Sequence, residues 1–456
     1  MSADPLTVIV AEPLSTATPE GAAALAEQEL LWAALQTSGS EAVELSTRSI
    51  PNDPLLEFQW HLINSTAQPV GRDVQDLDIF GIPGEDLNVA GAWQLGYTGE
   101  GVVVAVVDTG IQRDHPDLAA NISPTLGFDA LTGVILDPSL NPDVGDADLF
   151  DAVNGPHGTA IAGIIGAVGD NGVGTTGIAY NSELVPIRLI SGPLDSFTDV
   201  SQQLAIQYEN DLIDIYNHSY GPSDDVRTAV SVPAETLSAF RESVQNGRPV
   251  DVNGDGVITD GSNGTPDERL GNIHIFAAGN GAGNGFVGGT FADIGVLDFA
   301  GYDGYINSRY TIGVTGVDHD GVSNNSDGTI TNYLETSAAV LVAAPTGSNV
   351  FSIGDEGNTT TPPIERIGSG VFTTDFAPDD TSPISVLQEG SNAPTLTDAA
   401  DITAAGGPEG NDFIFDQFED PSITSTFNGT SASAAMVSGV VALMLEANPN
   451  LSYRDV

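Results

Sequence analysis

The chain contains no cysteine and no lysine. Without cysteine no disulfide can staple the fold, and bound metal becomes the natural substitute where a local cross-link is needed. Without lysine, all the positive charge rests on 11 arginines, which face 63 acidic residues for a formal net charge of −52. So negative a surface repels nucleic acid and anionic membranes, and attracts cations and basic peptides. Self-repulsion on that scale also opposes a compact state unless salt or bound cations screen it, which points to a saline or calcium-rich setting. Long apolar runs are missing as well: no uninterrupted stretch reaches the ~18 residues of a membrane span, so no membrane insertion is expected. The opening residues, MSADPLTVIVAEPLST, have neither the basic region nor the long apolar core of a signal peptide. The expectation is an extracellular protein that leaves by a route whose address is not N-terminal, with a cytoplasmic place as the alternative.

What is present suits one large catalytic domain or two to three ordinary ones, in a chain of 456 residues that is 40% hydrophobic. Residues 1–50 hold one amphipathic helical pattern, Pro19 to Leu35, between polar stretches, and read as a presequence or docking arm. From residue 51 to 456 the text changes character. Val102 to Val107 is an unbroken run, five of its six residues valine, the mark of a strand buried on both faces. Asp108-Thr109-Gly110 follows at its C-terminal end, where open α/β sheets place their ligands. Asp108 is open to a plainer reading as a turn residue. An aspartic protease would need a second Asp-Thr-Gly for its dyad, and none is present. His157 stands between Gly155-Pro156 and Gly158-Thr159 at the head of the helical pattern AIAGIIGAV. Further strands read at GIAYNSELVPIRLI and DLIDIYNHSYG, with the helix TDVSQQLAIQYEN between them. NIHIFAAGNGAGNG is another buried strand, ending in Asn280 among glycines. This alternation predicts an α/β fold, a doubly wound parallel sheet with helices on both faces.

The last element is Asn428-Gly429-Thr430-Ser431-Ala432-Ser433 running into an Ala/Val/Leu/Met-rich segment, which predicts a helix opening near Ser431. There a hydroxyl sits at the positive end of the helix dipole, beside unpaired backbone N–H groups. The plain alternative is that Ser431 or Thr430 only caps a buried helix. Taken together, however, the chain offers an acid, a histidine, an asparagine and a serine, each at the end of a buried element. Acyl transfer asks for these roles: Ser431 attacks, His157 takes and returns the proton, and Asp108 orients the imidazole and stabilises its cation. The amide of Asn280 and the N–H of Ser431 would hold the oxyanion.

Asp-Thr-Gly after a valine strand, His-Gly-Thr, Ala-Ala-Gly-Asn and Gly-Thr-Ser-Ala-Ser, in this order, resemble the subtilisin-like serine proteases, peptidase S8. Within them the chain looks like the kexin and furin branch, through Ser219-Tyr220-Gly221-Pro222 with Asp224-Asp225, and Asp303-Gly304-Tyr305-Ile306-Asn307-Ser308 with Tyr310-Thr311-Ile312. The resemblance implies a calcium-dependent serine endopeptidase acting on peptide or protein substrates, with Asp224 and Asp303 lining a pocket for a basic side chain. It also implies two calcium sites. One draws on Asp53, Asp117 and Asn171 with carbonyls around Val168 and Val173; the other draws on Asp224, Asp298 and Glu335. All are oxygen donors, as Ca2+ prefers; taken singly, any of them also reads as solvated surface acid.

Several positions depart from the branch's pattern. Ala435 stands where proline is usual, which touches the helix entry and not the chemistry. Thr109, Asn154, Gln202 and Val230 replace acids expected to read a second basic residue, so selection for a single Arg or Lys is expected. An insertion at about 251–270 holds Asp251, Asn253 and Asp255 at alternate positions with Gly256, the start of a calcium loop, but position 12 is Ser262 in place of glutamate. A second insertion, about 345–420 and rich in Gly, Thr, Pro and Asp, reads as extended surface loops. Val456 falls where the family's next helix begins, so a truncated end with a further domain beyond is expected. The competing functions are a non-catalytic acidic calcium-binding scaffold and a subtilisin-like enzyme of broad apolar specificity.

Overall fold

The structure is a computed structural model. It describes residues 50–64, 71–72, 78–79, 81–135, 157–190, 197–222, 229–250, 268–281, 286–287, 290–291, 300–319, 321, 334–347, 351–353, 364–366, 371–374 and 422–456. The chain divides into two units, Met1–Ser46 and Thr47–Val456, and the described residues belong to the second.

The valine run forms β1, Val103–Asp108, whose last five residues are buried. Around it lie β2 (Phe128–Asp129), β3 (Val134–Ile135), β4 (Glu183–Arg188), β5 (Ile215–His218), β6 (Ile273–Ala277), β7 (Ile312–Val317) and β8 (Val342–Pro345). Their order across the sheet is β8-β7-β6-β5-β1-β4-β2-β3. Every neighbouring pair is parallel except β2 with the edge strand β3. From β1 the chain passes first to the far edge on one side, at β2 and β3, returns inward to β4 beside β1, and then builds the other side outward, through β5 to β8. The reversal beside β1 opens a crevice at the C-terminal strand ends, and Asp108 is the last residue of β1. The expected doubly wound α/β sheet is the fold this chain adopts.

Strand alternation sorts the two faces. Val104, Val106, Ile215, Ile273 and Ile275 point to a face covered by α1 (Ala90–Gln94), α2 (His157–Gly166) and α5 (Thr430–Ala447). Val107, Tyr216 and Phe276 point to the other, against α3 (Asp199–Gln207) and α4 (Ala234–Asn246). α3 begins with a capping box, in which the Thr198 hydroxyl accepts from Ser201 N–H and Ser201 bonds back to the N-cap backbone. α5 is long and apolar enough to cross a membrane by length and composition, but 78% of it is buried inside the protein, as in a core helix. It lies against α2 and the strands β5 to β8. Close approach is possible because its contacting residues are small: a Cβ on Gly439 would lie 2.7 Å from Ile178 Cβ.

One expectation needs correcting. Val371–Thr374, inside the stretch read as surface loops, is a strand (β9) buried along its whole length. It pairs antiparallel with β10, Ile423–Phe427, and packs on α2. The reason is local satisfaction of polar groups: the Thr373 and Thr374 hydroxyls donate to Ala160 O and Thr159 O, both at 2.7 Å. Threonines that read as solvent-facing are therefore paid for inside the core. A Cβ on Gly163 of α2 would sit 2.2 Å from Thr374 Oγ1, so this helix needs glycine to accept the strand.

Candidate active site

Asp108 is fully buried, and both its oxygens face His157 Nδ1, at 2.7 and 2.9 Å. Oδ1 also accepts the N–H of Thr109 at 2.7 Å. A carboxylate so placed holds the imidazole with its proton on Nδ1 and turns Nε2 away from the carboxylate. The contact depends on glycine at 158, where a Cβ would come within 2.2 Å of Gly110 O and 3.1 Å of Asp108 Cβ. Thr109 adds a second tie, its hydroxyl accepting Gly158 N–H at 3.0 Å.

α5 starts one residue before the expected Ser431. Its N-cap, Gly429, has φ 92° and ψ 164°, a backbone region glycine reaches without strain. The helix brings no cap of its own. Instead Asn280, from the loop after β6, caps it from outside: its Oδ1 accepts Thr430 N–H at 2.9 Å and the Thr430 hydroxyl at 3.1 Å. Because Thr430 N–H can only donate, the amide oxygen must face it, which leaves Nδ2 as the donating edge of the same planar amide. Gly279 N–H in turn donates to Thr430 Oγ1 at 3.1 Å. Glu335, buried, supports this loop by accepting Gly281 N–H at 3.0 Å.

The hydroxyl of Ser431 donates to Ser219 O at 3.4 Å, and Ser219 Oγ donates to Ser431 O at 3.3 Å. Ser219 follows β5, whose His218 lies opposite Val107 of β1. Ser431 is therefore held at the strand end next to Asp108. The ring of Phe427, four residues before Ser431, lies 5.5 Å from that of His157. The structure thus brings Asp108 and His157 into direct contact, and Asn280 into contact with the residue before Ser431. Thr430 and Ser219 tie the serine to its neighbours; the sequence offered Thr430 only as a plain helix cap and Ser219 only as part of the Ser-Tyr-Gly-Pro motif. The Gly-Thr-Ser motif was the available sign for Thr430, and the Ser219-Tyr220-Gly221-Pro222 motif after a strand was the one for Ser219.

Asp303, half-buried, accepts Tyr305 N–H at 2.7 Å through Oδ1. A Cβ on Gly221 would lie 3.6 Å from its Oδ2, so the carboxylate borders the Ser219–Gly221 segment. Val230 pairs with Asp303 only through the backbone. Gln202 is buried between two tyrosine hydroxyls, Tyr220 at 3.3 Å and Tyr305 at 2.8 Å. Asp224, Asp298, Asn154, Asp251, Asn253 and Asp255 lie outside the described residues.

Asp53, Asp117 and Asn171 come together. Asp117 is fully buried, its Oδ1 accepting Asn171 Nδ2 at 2.8 Å and its Oδ2 accepting Thr175 N–H at 2.8 Å. Burial pushes its carboxyl up to about 7, the hydrogen bonds from Thr175 and Asn171 opposing this and the charge of Asp53 adding to it. Asp53 accepts the N–H groups of Asp170, Asn171 and Gly172, between 2.9 and 3.1 Å. The 170–176 loop thus wraps two buried acids, and at Gly174 (φ 55°) a Cβ would lie 2.4 Å from Asp117 Oδ2. This donor set is all oxygen and carries unbalanced negative charge, so it fits a hard divalent cation. Asn171 would have to turn, since its Oδ1 accepts Val173 N–H at 2.6 Å. Among the described residues no group of three or more His, Asp or Glu side chains forms a metal cluster.

Comparison with known proteins gives the relationship. Residues 99–456 match the model of the subtilase family, peptidase S8. Human neuroendocrine convertase 2 is 30% identical over 429 residues, covering 93% of this chain and 49% of the relative. Human proprotein convertase subtilisin/kexin type 7 is 30% identical over 405 residues, covering 89% of this chain and 36% of the relative. The chain spans about half or less of the length of these curated relatives. The serine protease of Aeromonas sobria, solved in complex with a chaperone, superposes with a TM-score of 0.58 at 25% identity over 92% of this chain and 59% of its own. With four-fifths of its length under one family model and convertases among its relatives, the chain belongs to the subtilase family.

Proposed function

We propose that this chain is a serine endopeptidase that cleaves peptide bonds through Ser431, His157 and Asp108. The observation that carries the reading is the buried Asp108–His157 pair at the sheet's switch point, on the strand end next to the one that holds Ser431. In the reaction Ser431 Oγ turns from Ser219 O and attacks the carbonyl carbon, while its proton passes to His157 Nε2. Collapse of the tetrahedral intermediate breaks the C–N bond, and His157 returns the proton to the leaving amine. Water then repeats the sequence on the acyl-enzyme. Asn280 Nδ2 and Ser431 N–H are the oxyanion donors, each made rigid by the contacts with Thr430 and Gly279.

For the substrate we propose a basic residue before the scissile bond, met by Asp224 and Asp303 through charge-assisted hydrogen bonds. A second basic residue finds little: Thr109 is spent on Gly158 N–H, and Gln202 on two tyrosines. Ca2+ would be held by Asp53, Asp117 and Asn171, and by Glu335 with Asp224 and Asp298. Bound there, the ion supplies positive charge that lets buried acids stay ionised. A negative, cysteine-free protein of this kind suits an extracellular, saline place.

Labelling with a serine-directed fluorophosphonate tests the chemistry. The parent should label, and Ser431→Ala should not; equal labelling would end the assignment. Peptides ending in Arg-Arg, Ala-Arg and Ala-Phe test the pocket. Ala-Arg should be cut nearly as well as Arg-Arg and far better than Ala-Phe, and a preference for Ala-Phe would remove the basic pocket while leaving the triad.

A further inference from the structure

Beneath the sheet face that carries α3 and α4, six side chains form one buried hydrogen-bonded line. Ser243 Oγ lies 2.9 Å from His274 Nε2, and His274 Nδ1 lies 3.0 Å from His218 Nε2. His218 Nδ1 is 3.1 Å from the Tyr220 hydroxyl, which is 3.3 Å from Gln202 Nε2. Gln202 Oε1 accepts the Tyr305 hydroxyl at 2.8 Å. The line joins β5, β6, α3 and α4 to the turn that holds Asp303.

Its proton order follows from one anchor. Asn272 Nδ2 donates to Asn210 O and Ile213 O, so Asn272 Oδ1 is the atom facing Ser243, and the Ser243 hydroxyl donates to it at 2.8 Å and to Asn210 Oδ1 at 3.1 Å. Ser243 Oγ can then only accept from His274, which places that proton on Nε2. His274 Nδ1 must accept from His218 Nε2–H, and His218 Nδ1 must accept from the Tyr220 hydroxyl. Tyr220 oxygen then accepts from Gln202 Nε2, and Gln202 Oε1 from Tyr305. Each group has one orientation, and both histidines are neutral. Burial favours that state, lowering His274 to about 3 and His218 well below its ordinary value. The rings are locked further by stacking, His218 on Phe276 at 4.2 Å and Phe276 on Tyr305 at 5.4 Å.

We infer that this line is a positioning device for the substrate pocket, with His218, Tyr220, Gln202 and Tyr305 holding the Asp303 carboxylate where it meets the substrate's cationic side chain. The inference rests on the reading of Asp303 proposed above. The physical link is short: Tyr305 N–H donates to Asp303 Oδ1 at 2.7 Å, and Asp303 Oδ2 borders Gly221, the residue after Tyr220. A line with one proton order resists tilting of Tyr305, because any tilt leaves a buried donor or acceptor unmet. The line runs from Ser243 to Tyr305 and ends at the turn that holds Asp303, so it acts on selection before it acts on chemistry.

Tyr305→Phe removes the terminal hydroxyl and nothing else, and is studied in the full chain with Gln202→Met as a second cut in the line. Agmatine, a free guanidinium amine, is the probe for the pocket, titrated calorimetrically in a Ser431→Ala background so that binding is read without turnover. Tyr305→Phe should weaken agmatine roughly tenfold; in the active protein it should raise KM for the Ala-Arg peptide by a similar factor, leaving kcat and the fluorophosphonate labelling rate within about twofold. Unchanged agmatine affinity in folded Tyr305→Phe and Gln202→Met, or a melting-temperature loss alone, would overturn the inference and leave the triad standing. Agmatine failing to bind the Ser431→Ala parent would overturn it together with the basic pocket. A parent that binds agmatine but does not label refutes only the catalytic reading.

Discussion

The two faces of the central sheet are built on opposite terms. The face under α1, α2 and α5 is aliphatic and packed through glycine and alanine, with His157 and Ser431 at the starts of two of its helices. The face under α3 and α4 is aromatic and polar, with Tyr216, His218, Phe240, His274, Phe276 and Tyr305 in mutual ring contact. The first face obtains precision from close approach: at Gly158, Gly163 and Gly439 a Cβ has no room. The second obtains it from a buried hydrogen-bonded line with a single proton order from His274 to Tyr305. One face should therefore fail by crowding, and the other by a proton or a missing hydroxyl.

The largest effect should come from the crowded face. Ser431→Ala is expected to abolish peptidase activity, and Asn280→Ala to lower kcat by roughly 100-fold with little change in KM. Gly158→Ala pushes a methyl toward Gly110 O and should also cost about 100-fold in kcat/KM by moving His157 off Asp108. Full activity in Gly158→Ala would mean the strand end and helix start are looser than their contacts imply.

Next in size is the acid cradle. Chelation at low salt should lower the melting temperature by several degrees, since calcium at a hundredfold excess over its Kd contributes about 2.7 kcal/mol. Asp117→Asn and Asn171→Ala should shrink the difference between calcium and chelator. A melting curve indifferent to chelator would reject the cradle as a calcium site.

Gly163→Val comes third, with an expected loss of about 1–3 kcal/mol, because β9 and its threonines would have to move. Chemical denaturation measures it, and an unchanged midpoint would show that β9 yields easily.

The aromatic face should reveal itself through pH. On that face His274 is lowered by burial from 6.5 to about 3, and His218 well below 6.5, by burial first and then by His274; His61, which lies away from it beside Trp60, is also lowered by burial to about 3. Between about pH 6.5 and 3 these three histidines make the unfolded chain bind more protons, and they outnumber Asp117, whose raised carboxyl works the other way between about 7 and 3.8, so stability should fall as pH falls through that window. His61→Leu should remove about one proton's share of the slope without touching the line to Tyr305. A stability profile flat from pH 7 to 4 would break the contrast between the two faces.

Sequence by itself determined the doubly wound sheet and named the candidates for the reacting groups. An unbroken valine run is readable because burial on both faces demands it at every position, and alternating segments leave few topologies open. The motif residues were legible because glycines beside a histidine or a serine answer a local backbone need, borne out at Gly158 and Gly429. Tertiary structure alone decided what those groups touch. Asp108 meets His157 across 49 residues, and Asn280 caps Thr430 across 150, distances over which no local pattern carries information. The same holds for β9, whose threonines look solvent-facing until helix carbonyls accept them, and for the line from Ser243 to Tyr305. A histidine inside a strand reads as one more strand residue. Only when two strands pair in register, His218 with Phe276 and His274 with Tyr216, do the two histidines become diagonal neighbours within hydrogen-bond reach, and only their buried surroundings then dictate where each proton must sit.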